Sequence, residues 1–314
     1  MLMTVIMYDV EMGLTEREQE VVESNKLHTQ VSGKLFYADD TIIMAKTAEA
    51  VEIILHRIET ESHKYALKLN QGKCIHIQMN AIHRIHFRQG NAVPIQTQAD
   101  YLGGKIQNTG DHKPELQHRI AATWKTVRRL DLLWGKSKAS VKWKLKVFDA
   151  VIVAKLMYGL TSIPLSKADA NNIDAFQMRG LREILKIKHP YWSRVSNKKL
   201  LEISNDKLRN EQDKSCLKRL SSRLIERQIV LLAHTIRLDE QDPLKRIAVD
   251  ETGGRVRSDF RRAGRPRTKW YDTTRDHAIK KLIKEGHLPR DVVARSTKQE
   301  INEFIVRMAR DRHI

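Results

Sequence analysis

The period of apolar and polar positions changes several times along the chain, and each period predicts an element. Residues 35–44, LFYADDTIIM, are β-branched and aromatic on both sides of an acidic pair. Lys34-Leu35-Phe36 and Thr41-Ile42-Ile43-Met44 are therefore expected to be core strands, joined by a tight turn at Tyr37-Ala38-Asp39-Asp40. From Thr47 to Ile58 the spacing becomes helical: Ala50, Ile54 and Ile58 share one face, with Val51 and Leu55 beside it and polar residues opposite. His76, His83 and His86 alternate with isoleucines, which reads as the polar face of a strand rather than a set of ligands. Helical spacing returns at 114–134 in the stripe Leu116, Ile120, Trp124, Val127, Leu130 and Trp134, and further helices are predicted over 140–160 and 168–187. Residues 224–247 read as an amphipathic helix broken before Pro243, and 276–314 as one or two terminal helices.

Composition narrows the class. A chain of 314 residues with 41% hydrophobic content has room for two or three packed units and is not wholesale disordered. Cys74 and Cys216 form no CxxC pair and no Cys/His ligand spacing, which leaves neither a disulfide framework nor a zinc module and fits a reducing compartment. The opening MLMTVIMYDV lacks a basic n-region and meets an acid at Asp9, which argues against a signal peptide. No apolar run approaches the roughly 20 residues needed to span a bilayer, so no membrane partner is expected.

Charge is distributed unevenly. The chain carries a net +19, yet residues 1–60 hold five Lys/Arg against eleven Asp/Glu, so the excess belongs to the later segments. It includes Lys125, Arg128 and Arg129, which lie mostly off the apolar stripe, and a run punctuated by Gly and Pro, GGRVRSDFRRAGRPRTKW, with Arg261, Arg262, Arg265, Arg267 and Lys269 ahead of Trp270. Such an excess marks either a phosphate-bearing partner or a plain solvated basic surface. The run reads as an arm that follows a phosphate backbone, with Trp270 stacking on a base; a nuclear-import patch or a solvated linker are the alternatives.

The acidic pair raises the sharpest chemical question. Adjacent carboxylates repel unless a hard divalent cation, Mg²⁺ above all, gathers them, and two such ions can activate an attacking hydroxyl and stabilise a leaving pyrophosphate. Taken alone, the four residues also fit an exposed turn in which Asp favours the bend.

The order of surrounding segments adds a resemblance. LFYADDTIIMAKT resembles the catalytic hairpin of reverse transcriptases, in the YADD form of non-LTR (LINE-like) retroelements. YALKLNQGKC, residues 65–74, resembles the GLKLNxxKT segment that closes their palm, and DYLGGKI, residues 100–106, resembles the YLG hairpin at the primer end. YGL, LREILKI and WSRVSNKKLL (192–201) are similar to the region after the palm, and AGRPRTKWYD to a G-R-P-R-x-x-W element near the end of many retroelement polyproteins. The resemblance implies an α+β chain: an incomplete right-hand polymerase palm (antiparallel hairpin sheet plus helix) over 1–106, a helical thumb over 107–190, a helical region over 191–250, a basic arm over 251–270 and terminal helices over 271–314.

It also implies roles. Asp39 and Asp40 would be the catalytic metal ligands for Mg²⁺ in a two-metal site, with Tyr37 shaping the turn beside the primer. Lys73 would face the incoming dNTP, and Tyr101, Leu102 and Gly103 would hold the primer terminus. A surface lysine and ordinary hairpin packing are the rival readings for Lys73 and Tyr101. RNA template and DNA primer are the implied partners and the nucleus the implied location, with oligomeric state left open. The sequence departs from the family pattern in one respect: only 36 residues precede Tyr37, and the fingers, the strand bearing the other essential aspartate and a Q-G-x-P-L-S-P-like segment do not precede it. No apurinic-type endonuclease or zinc knuckle is evident either. The expectation is a truncated RNA-directed DNA polymerase that binds nucleic acid without efficient polymerisation. A non-catalytic RNA- or DNA-binding remnant, a maturase-like accessory protein, and a decayed gene product that folds poorly stay open beside it.

Overall fold

A computed structural model describes residues 2–27, 33–79, 82–209, 216–255 and 269–311. The chain divides into two compact units, Met1–Asp111 with Glu240–Ile247, and His112–Asp239 with Ala248–Ile314. It is a mixed α/β protein, mainly helical, with two small antiparallel hairpins.

In the first unit, α1 (Leu2–Met12) and α2 (Glu16–Ser24) pack on α3 (Ala48–Lys64), which follows the strands β1 (Lys34–Tyr37) and β2 (Asp40–Ile43). A capping box starts α2: the Glu18 amide donates to Thr15 Oγ1 at 3.3 Å and the Thr15 amide to Glu18 Oε2 at 2.8 Å. Thr47 caps α3 by accepting from the Ala50 amide at 3.4 Å. The expected face of α3 is the buried one, with Ile54 and Ile58 against Ile6, Met7 and Val10 of α1 and Val22 of α2. Leu55 turns to a second cluster, Ile85, Phe87 and Val93. The segment carrying those residues is irregular. His76 and His86 make isolated bridges, to Ile95 and Ala92, so among the described residues the expected histidine-bearing strand does not form. Glu52 explains part of this, because its Oε1 accepts the His86 amide at 2.7 Å and removes that donor from any ladder.

The hairpin β1–β2 forms in the expected register but does not lie in a core. Leu35, Phe36 and Tyr37 are 45%, 40% and 65% exposed, and among the described residues β1 pairs with β2 alone. β-branched and aromatic letters marked the strand; burial also needs a covering layer, and here Ile43 of β2 makes the inward contacts. A second hairpin, β3 (Gln98–Tyr101) with β4 (Gly104–Gln107), forms its own two-stranded sheet, so the described residues hold two separate hairpins rather than one joined sheet.

The second unit is helical. In it α4 (Lys113–Arg129) buries Leu116 and Val127, and Ile120 and Trp124 pack at the edge of the same core. The helix expected over 114–134 breaks at Leu130, where α5 (Asp131–Gly135) folds back so that the Trp134 indole donates to the Val127 carbonyl at 2.9 Å. The predicted 140–160 helix is a rod made of α6 (Val141–Val147), a π-helical stretch at Phe148–Val153 and α7 (Ala154–Met157), ended by Gly159 at φ 73°. It packs on α8 (Lys167–Leu185), where a Cβ at Gly180 would collide with the Phe148 ring. After α9 (Pro190–Ser193) and α10 (Asn197–Leu208), α11 (Leu220–Arg237) serves two cores. Leu220 and Leu224 enter the first, whereas Ile229, Leu232 and Ala233 enter a second. The helix α11 ends at Arg237, before Pro243 as expected, and Pro243, in the segment grouped with the first unit, starts the short α12 (Pro243–Ala248), where its missing amide costs no intrahelical bond. Among the described residues the terminal region holds three helices where one or two were expected: α13 (Trp270–Lys284), α14 (Arg290–Arg295) and α15 (Lys298–Asp311).

Candidate functional site

The acids stand at the end of the shortest hairpin loop the backbone allows. Tyr37 pairs with Asp40, which leaves Ala38 and Asp39 as a two-residue turn. Ala38 takes the left-handed conformation, φ 54°, at the first turn position, a geometry that matches the twist of paired strands and that Gly adopts more readily. Because cross-strand partners share a face, Tyr37 and Asp40 project to the same side, with Asp39 at the tip. Both carboxylates are exposed. Lys34 at the other end of β1 is tied to Glu11 at 2.7 Å.

The donor chemistry at the tip fits Mg²⁺, which takes hard oxygens and is commonly held through one or two carboxylates with the remaining positions filled by water and phosphate. Among the described residues, no group of three or more His, Cys, Asp or Glu is gathered for a metal. Asp9 is committed elsewhere, accepting the Tyr65 hydroxyl at 2.5 Å.

The remaining sequence candidates are distributed through both units. Lys73 ends a 3₁₀ turn, Gln71–Lys73, with its side chain exposed, and Gln71 anchors that turn to Glu59 of α3 at 3.1 Å. Tyr101 is half-buried and pairs with Gly104, and Leu102 and Gly103 form the turn with φ 48° and 73°. Positive φ at both positions is the type I′ pattern, which Gly103 suits and Leu102 adopts at a cost. On α4, Lys125, Arg128 and Arg129 are exposed, opposite the stripe that enters the core. Arg261, Arg262, Arg265 and Arg267 lie outside the described residues. Lys269 is exposed immediately before α13. Trp270 has a packing position instead of the free stacking position expected of it: its ring lies against the second helical core and its indole donates to the Thr161 carbonyl at 2.6 Å.

The sequence reading assigned no role to Tyr191 and Trp192, which the structure leaves 63% and 73% exposed. The signal available for them was two adjacent aromatics in HPYWSR with no helical or strand period to bury them.

No helix among the described residues is long and apolar enough to cross a membrane. No family model, no curated protein and no solved structure matches the chain, so the residues themselves carry the functional reading.

Proposed function

We propose that the chain is part of an RNA-directed DNA polymerase of the non-LTR retroelement kind, and that by itself it binds a primer-template without extending it. The observation that carries this reading is the YADD hairpin, with Asp39 and Asp40 exposed at the tip of a two-residue turn and Tyr37 on the face of Asp40. In the complete polymerase these two acids would hold Mg²⁺, which supplies charge stabilisation to a transferring phosphoryl group. Within this chain, Asp39 and Asp40 supply oxygen ligands, Tyr37 shapes the turn beside the primer, Lys73 offers positive charge to the triphosphate of a dNTP, and the Tyr101-Leu102-Gly103 turn supports the primer end. The first hairpin with α3 stands for part of the palm and the helices α4 to α8 for the thumb, whose exposed Lys125, Arg128 and Arg129 contact the backbone of an RNA template and DNA primer. A nuclear location belongs to the same reading.

The absence of extension rests on solvent. Two carboxylates on an exposed turn meet a cation that dehydrates reluctantly, so the pair alone does not fix the geometry that transfer requires.

A non-catalytic RNA- or DNA-binding role is the second reading, favoured by basic side chains on α4 that stand independently of the acids. The test is retention of a labelled primer-template across a salt series, with and without Mg²⁺ and dNTPs. Retention that falls by roughly 10³-fold between 50 and 200 mM salt, without extension, supports the proposal. Extension abolished by Asp39→Ala would show that this chain polymerises by itself, and absence of binding would reject both readings.

A further inference from the structure

We propose that the segment from Lys186 to Lys199 is a stacking platform for unpaired nucleobases, with Trp192 as its principal ring and Tyr191 as its support. The proposal rests on the nucleic-acid reading above and names the form of nucleic acid that this surface takes.

Three observations carry it. First, the two rings are large, adjacent and open: Tyr191 and Trp192 are 63% and 73% exposed and meet edge to face, with centroids 4.9 Å apart and planes at 89°. Exposed indole is costly in water, and the perpendicular arrangement keeps the two rings from stacking on one another. Second, the charge along the segment is of one sign. Between Glu183 and Glu202 the chain carries Lys186, Lys188, Arg194, Lys198 and Lys199 and no acid, and all five cations are exposed. Lys199 spends part of its charge on Glu202 at 3.4 Å. The Arg194 guanidinium lies 5.7 Å from the centroid of the Tyr191 ring.

Third, the loop is built to hold this shape. Arg182 of α8 is buried, and its guanidinium donates to the Lys188 carbonyl at 2.9 Å, the Val195 carbonyl at 2.7 Å and Asn197 Oδ1 at 3.2 Å. One side chain thus closes the base of the loop from both ends. Within it, His189 accepts the Tyr191 amide at 3.3 Å, Pro190 occupies the first helical position of α9, and Arg194 at φ 54° turns the chain out again. A braced loop presents its rings with little rotamer or backbone entropy left to lose on binding.

An open aromatic face within a field of cations is the surface that single-stranded nucleic acid recognises: every base has a π face, and the phosphates meet the lysines. A paired duplex conceals its base faces and offers this platform only its phosphates.

The experiment measures binding of the purified chain to fluorescein-labelled oligothymidylate and to an abasic strand of equal phosphate count, at one fixed salt concentration. Wild type, Trp192→Ala, Tyr191→Ala and Trp192→Phe are compared, with circular dichroism and thermal melting to verify the fold. The expected result is about ten-fold tighter binding of oligothymidylate than of the abasic strand by wild type, in line with the contribution of one stacked base. Trp192→Ala loses that discrimination while keeping its affinity for the abasic strand, Trp192→Phe keeps most of the discrimination, and Tyr191→Ala reduces it less. Equal affinity of wild type for the two strands overturns the proposal, as does full discrimination by Trp192→Ala, which would leave the exposed rings to a protein surface. Retention of primer-template without any oligothymidylate binding overturns the platform alone, whereas loss of all nucleic-acid binding overturns the reading on which it rests.

Discussion

The β1–β2 hairpin is richer in apolar letters than the α8–α11 helix pair, and the two have opposite fates. On the hairpin, Leu35, Phe36 and Tyr37 remain largely in solvent, because among the described residues no layer covers either face of the two-stranded sheet along β1. On the helices, Ile173, Phe176, Leu181, Leu220 and Leu224 are buried, and so is a polar group: the Gln177 amide donates to the Lys218 carbonyl at 2.9 Å and accepts from the Leu220 amide at 3.1 Å. Burial is a property of layers, and an apolar run yields it only where another element lies above. The apolar side chains of β1 therefore contribute little to stability and are available for contact, whereas those of the helices hold the fold.

Substitutions can sharpen that contrast. The largest effect is expected from Trp134→Ala, which removes a fully buried ring and its bond to Val127 and is predicted to destabilise the second unit by about 3–5 kcal/mol in denaturant melts. A cost near zero would mean that the α4–α5 turn is not packed as described. Gln177→Ala leaves the Lys218 carbonyl and Leu220 amide without their partner, and about 1–3 kcal/mol should be lost in the same assay.

A smaller effect depends on pH. Burial pushes the Asp169 carboxyl up, but hydrogen bonds from Ser166 and His112 outweigh it, and its pKa lies below the ordinary Asp value of 3.8. A carboxylate depressed in the fold contributes stability above its unfolded pKa and loses it as pH falls through the folded value. The melting temperature should accordingly drop below about pH 4, and Asp169→Asn should flatten that drop; an unchanged acid limb would remove Asp169 from the account. The smallest effect belongs to the hairpin. Phe36→Ser is expected to shift stability by no more than about 0.5 kcal/mol, and a loss of several kcal/mol would show that its ring is covered after all.

The sequence made the periodic parts legible. Thr47 to Ile58 and the Leu116 to Trp134 stripe gave helices whose expected faces are the buried ones, because a period of 3.6 states both the element and its inner side, and residues 168–187 gave a helix. The β1–β2 turn was legible for a different reason, since Tyr37 to Asp40 interrupts two β-rich runs. What escaped was decided at longer range. The break at Leu130 follows from Trp134 folding back onto Val127, and no local signal distinguishes that from a continued helix. The irregular backbone at His86 reflects in part Glu52, many residues away, taking the His86 amide. At the candidate site, the acids and the exposed cations of α4 were readable from letters, while the inward position of Trp270 and the outward position of Trp192 were not, since adjacent polar letters look alike around both.

The 18-residue α11 also has a kinetic consequence. Because Leu220 and Leu224 belong to one core and Ile229 and Leu232 to the other, neither core can open without fraying the helix they share. Local opening is therefore coupled across the unit, and the amides near the middle of α11 should exchange with deuterated solvent only through global unfolding, setting the slowest clock in the protein.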